Sequence, residues 1–112
     1  AKIKKVLADE QEICQEDFSI DRLAKLCEAT PKDVSQVINE RMGCSFVLLL
    51  SEYRIKEACR RLDDEENFGR LTLEAIGRSV GFKARESFSR AFKRVTGVSP
   101  SVYQRRVSER RP

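Results

Sequence analysis

Residues 18–30 and 71–84 carry one pattern twice, and this duplication restricts the possible folds of the 112-residue chain more than any other feature. The first copy reads FSIDRLAKLCEAT and the second LTLEAIGRSVGFKA. Phe18, Ser19, Ile20, Asp21, Leu23, Ala24 and Lys25 match Leu71, Thr72, Leu73, Glu74, Ile76, Gly77 and Arg78 at an offset of 53. One extra residue then enters the second copy. Thr30, Val34, Ile38, Gly43 and Ser45 match Ala84, Phe88, Phe92, Gly97 and Ser99 at an offset of 54. The chain is therefore read as one structural unit used twice.

Each copy has the same physical logic. Ser19 and Thr72 are N-cap residues, whose oxygens accept from free amides of a first helical turn. Phe18 and Leu71 precede the caps and are placed to staple onto Leu23 and Ile76. Asp21 and Glu74 sit at the positive end of the helix. The first helix of each pair is short. Tight turns follow at Cys27–Thr30 and Val80–Ala84, and Gly81 is free to take a left-handed conformation there. The second helix starts near Pro31 or Arg85, with Pro31 suited to a first helical position behind the cap Thr30. Its inward stripe is Val34, Val37, Ile38 and Met42 in one copy and Phe88, Ala91, Phe92 and Val95 in the other. Small Ala24 and Gly77 let the paired helices approach closely. A short helix, a tight turn and a second helix with a polar outer face make a helix-turn-helix. An ordinary helical hairpin would account for either copy alone.

The remaining chain reads as helix too. Good helix formers dominate, glycines number 5 and prolines 3, and no hairpin dipeptide occurs. The expected fold class is all-α, with two helix-turn-helix subdomains joined by a long linker helix. Residues 1–112 are expected to form a single DNA-binding domain. It comprises a first helix over about 3–14, a first helix-turn-helix at 18–43, a linker helix at 45–62, and a second helix-turn-helix with a last helix at 71–107. Candidate inward residues are Ile3, Val6, Leu7 and Ile13 in the first helix, and Phe46, Leu49, Leu50, Tyr53, Ala58 and Leu62 in the linker. Val102 and Tyr103 serve the last helix. The acidic stretch DDEENFG is a loop. A linker of that length spans roughly 27 Å, a plausible spacer for two reading heads about one DNA turn, ~34 Å, apart.

Composition excludes several functions. With 40% apolar and 36% charged residues the chain is globular. No apolar run approaches the ~20 residues of a membrane span, and no secretion signal opens the chain. Cys14, Cys27, Cys44 and Cys59 lack Cys-x-x-Cys spacing, and there is no histidine, so no metal site and no disulfide framework are expected. The cysteines are read as reduced, small core residues. There is no nucleophile motif and no Gly-rich phosphate loop, which argues against an enzyme. No cofactor is expected. The charge is uneven: residues 83–112 carry a net +7 and residues 1–82 a net −3. That excess interleaves with an apolar stripe and runs on into Arg105, Arg106, Arg110 and Arg111, a pattern that favours polyanion binding.

The stretch GFKARESFSRAFKRVTGVSPSVY resembles the C-terminal signature of AraC/XylS-type transcription regulators. Its marks are Gly81-Phe82, Phe88, Phe92-Lys93, Gly97, Pro100 and Tyr103. The first unit and the long helix fit as well, through LAKL, Gly43, Ser45-Phe46, Arg54 and Ala58. The resemblance covers about residues 18–107. It implies a domain of about seven helices that inserts two recognition helices into successive major-groove segments of double-stranded DNA. It also implies a preceding sensor or dimerisation region, so the chain is expected to be a C-terminal fragment of a larger regulator, an activator. Such a protein is expected to be cytoplasmic and nucleoid-associated, with membrane anchoring of the full-length form left open. RNA polymerase is a further partner that the resemblance allows.

By the same resemblance, base-reading positions fall on Lys32, Ser35 and Gln36 in the first recognition helix. In the second they fall on Arg85, Glu86, Ser89 and Arg90. Arginine can pair bidentately with guanine, glutamine with adenine, and glutamate can accept from cytosine. Asn39, Arg41, Lys83, Lys93 and Arg94 are placed for phosphates, which position without specifying. Three features depart from the family. Glu28 stands where a glycine is usual in the first turn. Ala84 stands where a serine usually caps the second recognition helix. Val47 and Leu48 are apolar where the family is polar, which leaves two readings open: a patch for a missing domain or a partner chain, or a locally thicker core. A helical protein-interaction module is accordingly the alternative to sequence-specific DNA binding.

Overall fold

Helix starts in this chain are written by side-chain caps, and a computed structural model describing residues 2–110 shows where each takes effect. Regular structure among the described residues is entirely helical. In chain order the helices are α1 (Lys2–Leu7), α2 (Glu10–Ile13), α3 (Ile20–Leu26) and α4 (Pro31–Val37), with α4 continuing into a π turn at Ile38–Met42. After them come α5 (Phe46–Asp63), α6 (Glu65–Phe68), α7 (Leu73–Ser79), α8 (Arg85–Thr96) and α9 (Pro100–Arg110). Ser19 caps α3, Thr30 caps α4, Ser45 caps α5 and Thr72 caps α7, each hydroxyl accepting from the amide three residues on.

The single helix expected over about 3–14 is two helices. Asp9 adopts an extended conformation, with φ −84° and ψ 102°, and its carboxylate accepts from the Gln11 amide at 3.0 Å. A cap residue in mid-pattern ends one helix and starts another. The acidic stretch also holds a helical turn, α6, capped by Asp64 through the Asn67 amide at 3.2 Å. These two features account for the short helices beyond the expected seven.

Two apolar cores form. Leu7, Ile13, Phe18, Leu23, Val34 and Ile38 build the first, and Ile76, Val80, Phe82, Phe88, Ala91 and Phe92 the second. The long helix α5 belongs to both. Its Leu49 and Leu50 enter the first core, while Ile55, Ala58 and Leu62 enter the second. It is thus a shared wall between the units, and Ile55, absent from the expected inward set, is completely buried. The molecule is elongated, 47 × 25 × 24 Å. That length exceeds the ~34 Å repeat of the duplex.

In the expected inward stripe of the first unit, Val34 and Ile38 are buried, Met42 is half-buried, and Val37 is 36% exposed. Val37 lies off the 34/38 line of the helix. Its counterpart Ala91 is buried, because α5 and α9 both pack on α8. The expected staple at Leu71 has little to bury, since Leu71 is 39% exposed, whereas Phe18 is buried against Phe46 with ring centroids 6.2 Å apart. In the last helix Tyr103 packs edge-on to Phe92 at 5.4 Å, Val102 is half-buried, and Val107 is buried. The four cysteines are free thiols, and burial pushes the Cys14 thiol up to about 11.

Candidate nucleic-acid interface

The two turns that set α4 and α8 are the same backbone motif. After α3, the Ala29 amide donates to the Ala24 carbonyl at 2.9 Å and the Glu28 amide to Lys25 at 3.2 Å. After α7, the Phe82 amide donates to Gly77 at 3.0 Å and the Gly81 amide to Arg78 at 3.0 Å. This paired bonding is a Schellman cap, which needs a left-handed residue at its turn. Gly81 fills that place with φ 106°, and Glu28 fills it with φ 56°. The departure noted at Glu28 is thus a non-glycine residue held in the left-handed region, the same turn shape at a cost in strain.

Close helix approach follows from small residues. A Cβ on Gly77 would lie 2.7 Å from the Phe88 ring, so only glycine permits this seating of α8 on α7. Ala24 is buried at the equivalent place in the first unit. Behind α8 the family marks form one aromatic chain: Phe82 to Phe88 at 5.5 Å, Phe88 to Phe92 at 5.7 Å, and Phe92 to Tyr103 at 5.4 Å. Tyr103 also donates to the Asp63 carboxylate at 3.1 Å. Burial, with Asp63 and Cys59 beside it, pushes the Tyr103 hydroxyl up to about 12.

With the helices so held, the candidate base-reading residues fall on their outer faces. Lys32, Gln36, Arg85, Glu86 and Arg90 are exposed, and Ser35 and Ser89 are half-buried at the helix flank. At the repeat offset of 54, Lys32 corresponds to Glu86, Ser35 to Ser89, Gln36 to Arg90, and Asn39 to Lys93. Both recognition helices therefore present the same face. Asn39, Arg41, Lys83, Lys93 and Arg94 are exposed as well.

Two of these side chains are already engaged. The Gln36 amide donates to the Glu40 carboxylate one turn on, at 3.1 Å. Arg94 donates to the Ser51 hydroxyl of α5. Several cations elsewhere are paired with carboxylates. Lys2 pairs with Glu28, Arg22 with Glu12, Arg60 and Arg61 with Glu57, and Arg78 with Glu74. Among the described residues no salt bridge holds Lys32, Arg41, Lys83, Arg85, Arg90 or Lys93. Cations left without carboxylate partners, with Arg85, Arg90 and Lys93 together on α8, form a surface suited to an external polyanion. Ala84 leaves the α8 start without a side-chain cap. In the basic tail Arg105, Arg106 and Arg110 are exposed, and Arg111 lies outside the described residues.

Two structural residues escaped the sequence reading. Ser51 and Arg54 on α5 are buried, at 9% and 8% exposure. Arg54 was visible only as a family mark, because a charge at an inward position breaks the hydrophobic pattern by which core residues are found. Val47 and Leu48 are exposed at 71% and 44%, which rules out the thicker-core reading for both.

Comparison with known proteins agrees with this geometry. The profile of the helix-turn-helix domain family matches residues 23–106. The arabinose operon regulatory protein of Escherichia coli K12 is 29% identical over 98 residues, 88% of this chain and 32% of its own length. The protein of that name from Salmonella typhimurium is 31% identical over 87 residues, 78% of this chain and 30% of its own. The chain thus spans about a third of the length of these relatives. Among solved structures, the C-terminal domain of AraT, a response regulator from Geobacillus stearothermophilus, superposes with a TM-score of 0.74. It is 28% identical, covering 94% of this chain and 84% of that one. A DNA-binding transcriptional dual regulator from E. coli K-12 shares the fold, with a TM-score of 0.80 at 19% identity over 97% of this chain and 94% of its own. No helix among the described residues is long and apolar enough to cross a membrane. With two equivalent turns, two matched outer faces and a family profile running through both units, the chain belongs to the AraC/XylS-type helix-turn-helix family.

Proposed function

We propose that this chain binds double-stranded DNA in a sequence-dependent manner and regulates transcription, as the single DNA-binding output domain of a larger regulator. The observation that supports this most directly is the unpaired cationic face of α8, Arg85, Arg90 and Lys93, set on a rigid helix-turn-helix and continued by Lys83. The relatives are named as operon regulators, which supports the regulatory role. In this reading Lys32, Ser35, Gln36, Arg85, Glu86, Ser89 and Arg90 face base edges, while Asn39, Arg41, Lys83, Lys93 and Arg94 face phosphates. A sensor or dimerisation region and RNA polymerase are the protein partners, with the exposed Val47 and Leu48 available to either. The protein works by binding, without cofactor or catalytic step.

Selection of bound duplexes from random DNA tests the reading. A common motif is expected, with affinity falling steeply in salt because each neutralised phosphate adds about −0.9 to the log–log slope. Arg90→Ala is expected to flatten the preference at one base position by ~1–3 kcal/mol. Absence of any enriched motif together with a flat salt titration would remove the proposal.

A further inference from the structure

A buried arginine joins the two units. Arg54, near the middle of α5, is 8% exposed. Its Nε donates to the Ile13 carbonyl at 2.6 Å and its Nη2 to the Gln15 carbonyl at 2.7 Å. Ile13 ends α2 and is packed in the first core, and Gln15 lies two residues beyond it. On its other side the guanidinium lies 5.9 Å from the centroid of the Phe82 ring, in the second core. A Cβ placed on Gly81 would lie 2.8 Å from its Cζ and Nε. One planar group thus touches the end of α2 and the turn that aims α8.

This contact also explains why the two copies of the turn differ. Their bonding is the same, yet Glu28 bears a long side chain and Gly81 bears none. Glu28 is exposed, so its side chain meets solvent and Lys2. Gly81 is buried against the guanidinium, where any side chain would displace it. The fork of Arg54 suits this place: its donors reach two carbonyls two residues apart while the flat face lies on an aromatic ring. A lysine ammonium lacks both the fixed fork and the flat face.

We infer that Arg54 is a positioning residue that locks the relative orientation of the two helix-turn-helix units, by fastening the end of α2 to the Gly81–Phe82 turn. The consequence for DNA rests on the binding role proposed above. Two heads held at fixed orientation engage two groove segments in one event, and loosening the joint lowers the effective concentration of the second head.

The test has two arms. Amide residual dipolar couplings are measured on the 112-residue chain, wild type, Arg54→Met and Arg54→Lys. Wild type is expected to fit one alignment tensor. Both variants are expected to need two, one per unit, with each unit's own fit unchanged. The second arm uses duplexes selected by the wild type, in two forms: carrying both contact segments, or truncated to the segment read by α8. Both variants are expected to lose roughly tenfold or more in affinity for the two-segment duplex and nothing for the single segment. One tensor for Arg54→Lys, or an equal loss on both duplexes, overturns the inference. If Arg54→Met does not fold, Arg54→Lys decides. A wild type that binds no duplex would sink the DNA reading alone, because the first arm is independent of it.

Discussion

Glu28 is the residue at which this chain departs most plainly from backbone preference. It holds φ 56°, a region that costs an L-residue roughly 1–2 kcal/mol. Its ion pair with Lys2, 3.2 Å long and exposed on both sides, repays little of that. Glu28→Gly is therefore expected to raise unfolding free energy by ~1 kcal/mol in a denaturant titration, the added flexibility of glycine offsetting part of the relieved strain. Gly81→Ala is expected to do the reverse, losing more than ~1 kcal/mol, since φ there is 106° and Arg54 occupies the space. Opposite signs at two equivalent turn positions would show that one backbone motif is kept under different packing. Like signs would mean that the first turn reshapes around its side chain.

At the level of helices, the second recognition helix is held from behind and left open at its start. Ala84 has the extended conformation of a cap residue, φ −124° and ψ 146°, but no side-chain oxygen. The five other helices that follow a Ser or Thr all use its hydroxyl. Ala84→Ser is expected to add ~1 kcal/mol, read as a rise of about 4–8 °C in melting temperature. An unchanged melting temperature would mean that the Ser87 hydroxyl, which donates to the Ala84 carbonyl at 2.9 Å, already organises that turn. The first recognition helix is built otherwise. It passes into a π turn at Ile38–Met42 and closes at Gly43 with φ 69°. Its Gln36 is tethered to Glu40, whereas Arg90 at the matching place has no such acid one turn on. The two faces are equivalent in position and unequal in charge, so on the proposed DNA-binding reading the second unit is expected to supply more of the sequence-independent attraction.

Across the whole molecule, electrostatic contacts fasten the halves through α5. Glu57 accepts from Arg60 at 2.8 Å and from Arg61 at 2.7 Å; Arg60 also reaches Glu10 on α2, and Arg61 donates to the Ser79 carbonyl at the end of α7. Burial works against the ionised Glu57, but the hydrogen bonds from Arg60 and Arg61 outweigh it and hold the carboxyl at about 2, below its ordinary 4.5. A carboxylate depressed in the folded state stabilises fully above its unfolded value, and that contribution fades as pH falls toward the folded one. Stability is expected to decline between about pH 4.5 and 2, and Glu57→Gln to flatten that part of the profile, checked by thermal melts across the range. A profile identical in both proteins would assign acid sensitivity to other carboxylates.

Much of this was written in local chemistry. Caps at Ser19, Thr30, Ser45 and Thr72, the apolar spacing of Val34–Ile38 and Phe88–Phe92, and the small residues Ala24 and Gly77 act within a few residues of themselves. The duplicated pattern therefore disclosed both helix pairs, most of their buried stripes and their polar outer faces, while the family resemblance singled out Arg85, Arg90 and Gln36 on those faces. Other features depend on contacts between distant segments. The break at Asp9 competes with a helical pattern running through it. The burial of Arg54 needs carbonyls 41 and 39 residues away, and the exposure of Val37 depends on which neighbours pack on its helix. Local free energies are legible along a chain because their partners are adjacent. The joint between the units exists only after folding brings α2, α5 and the Gly81 turn to one point.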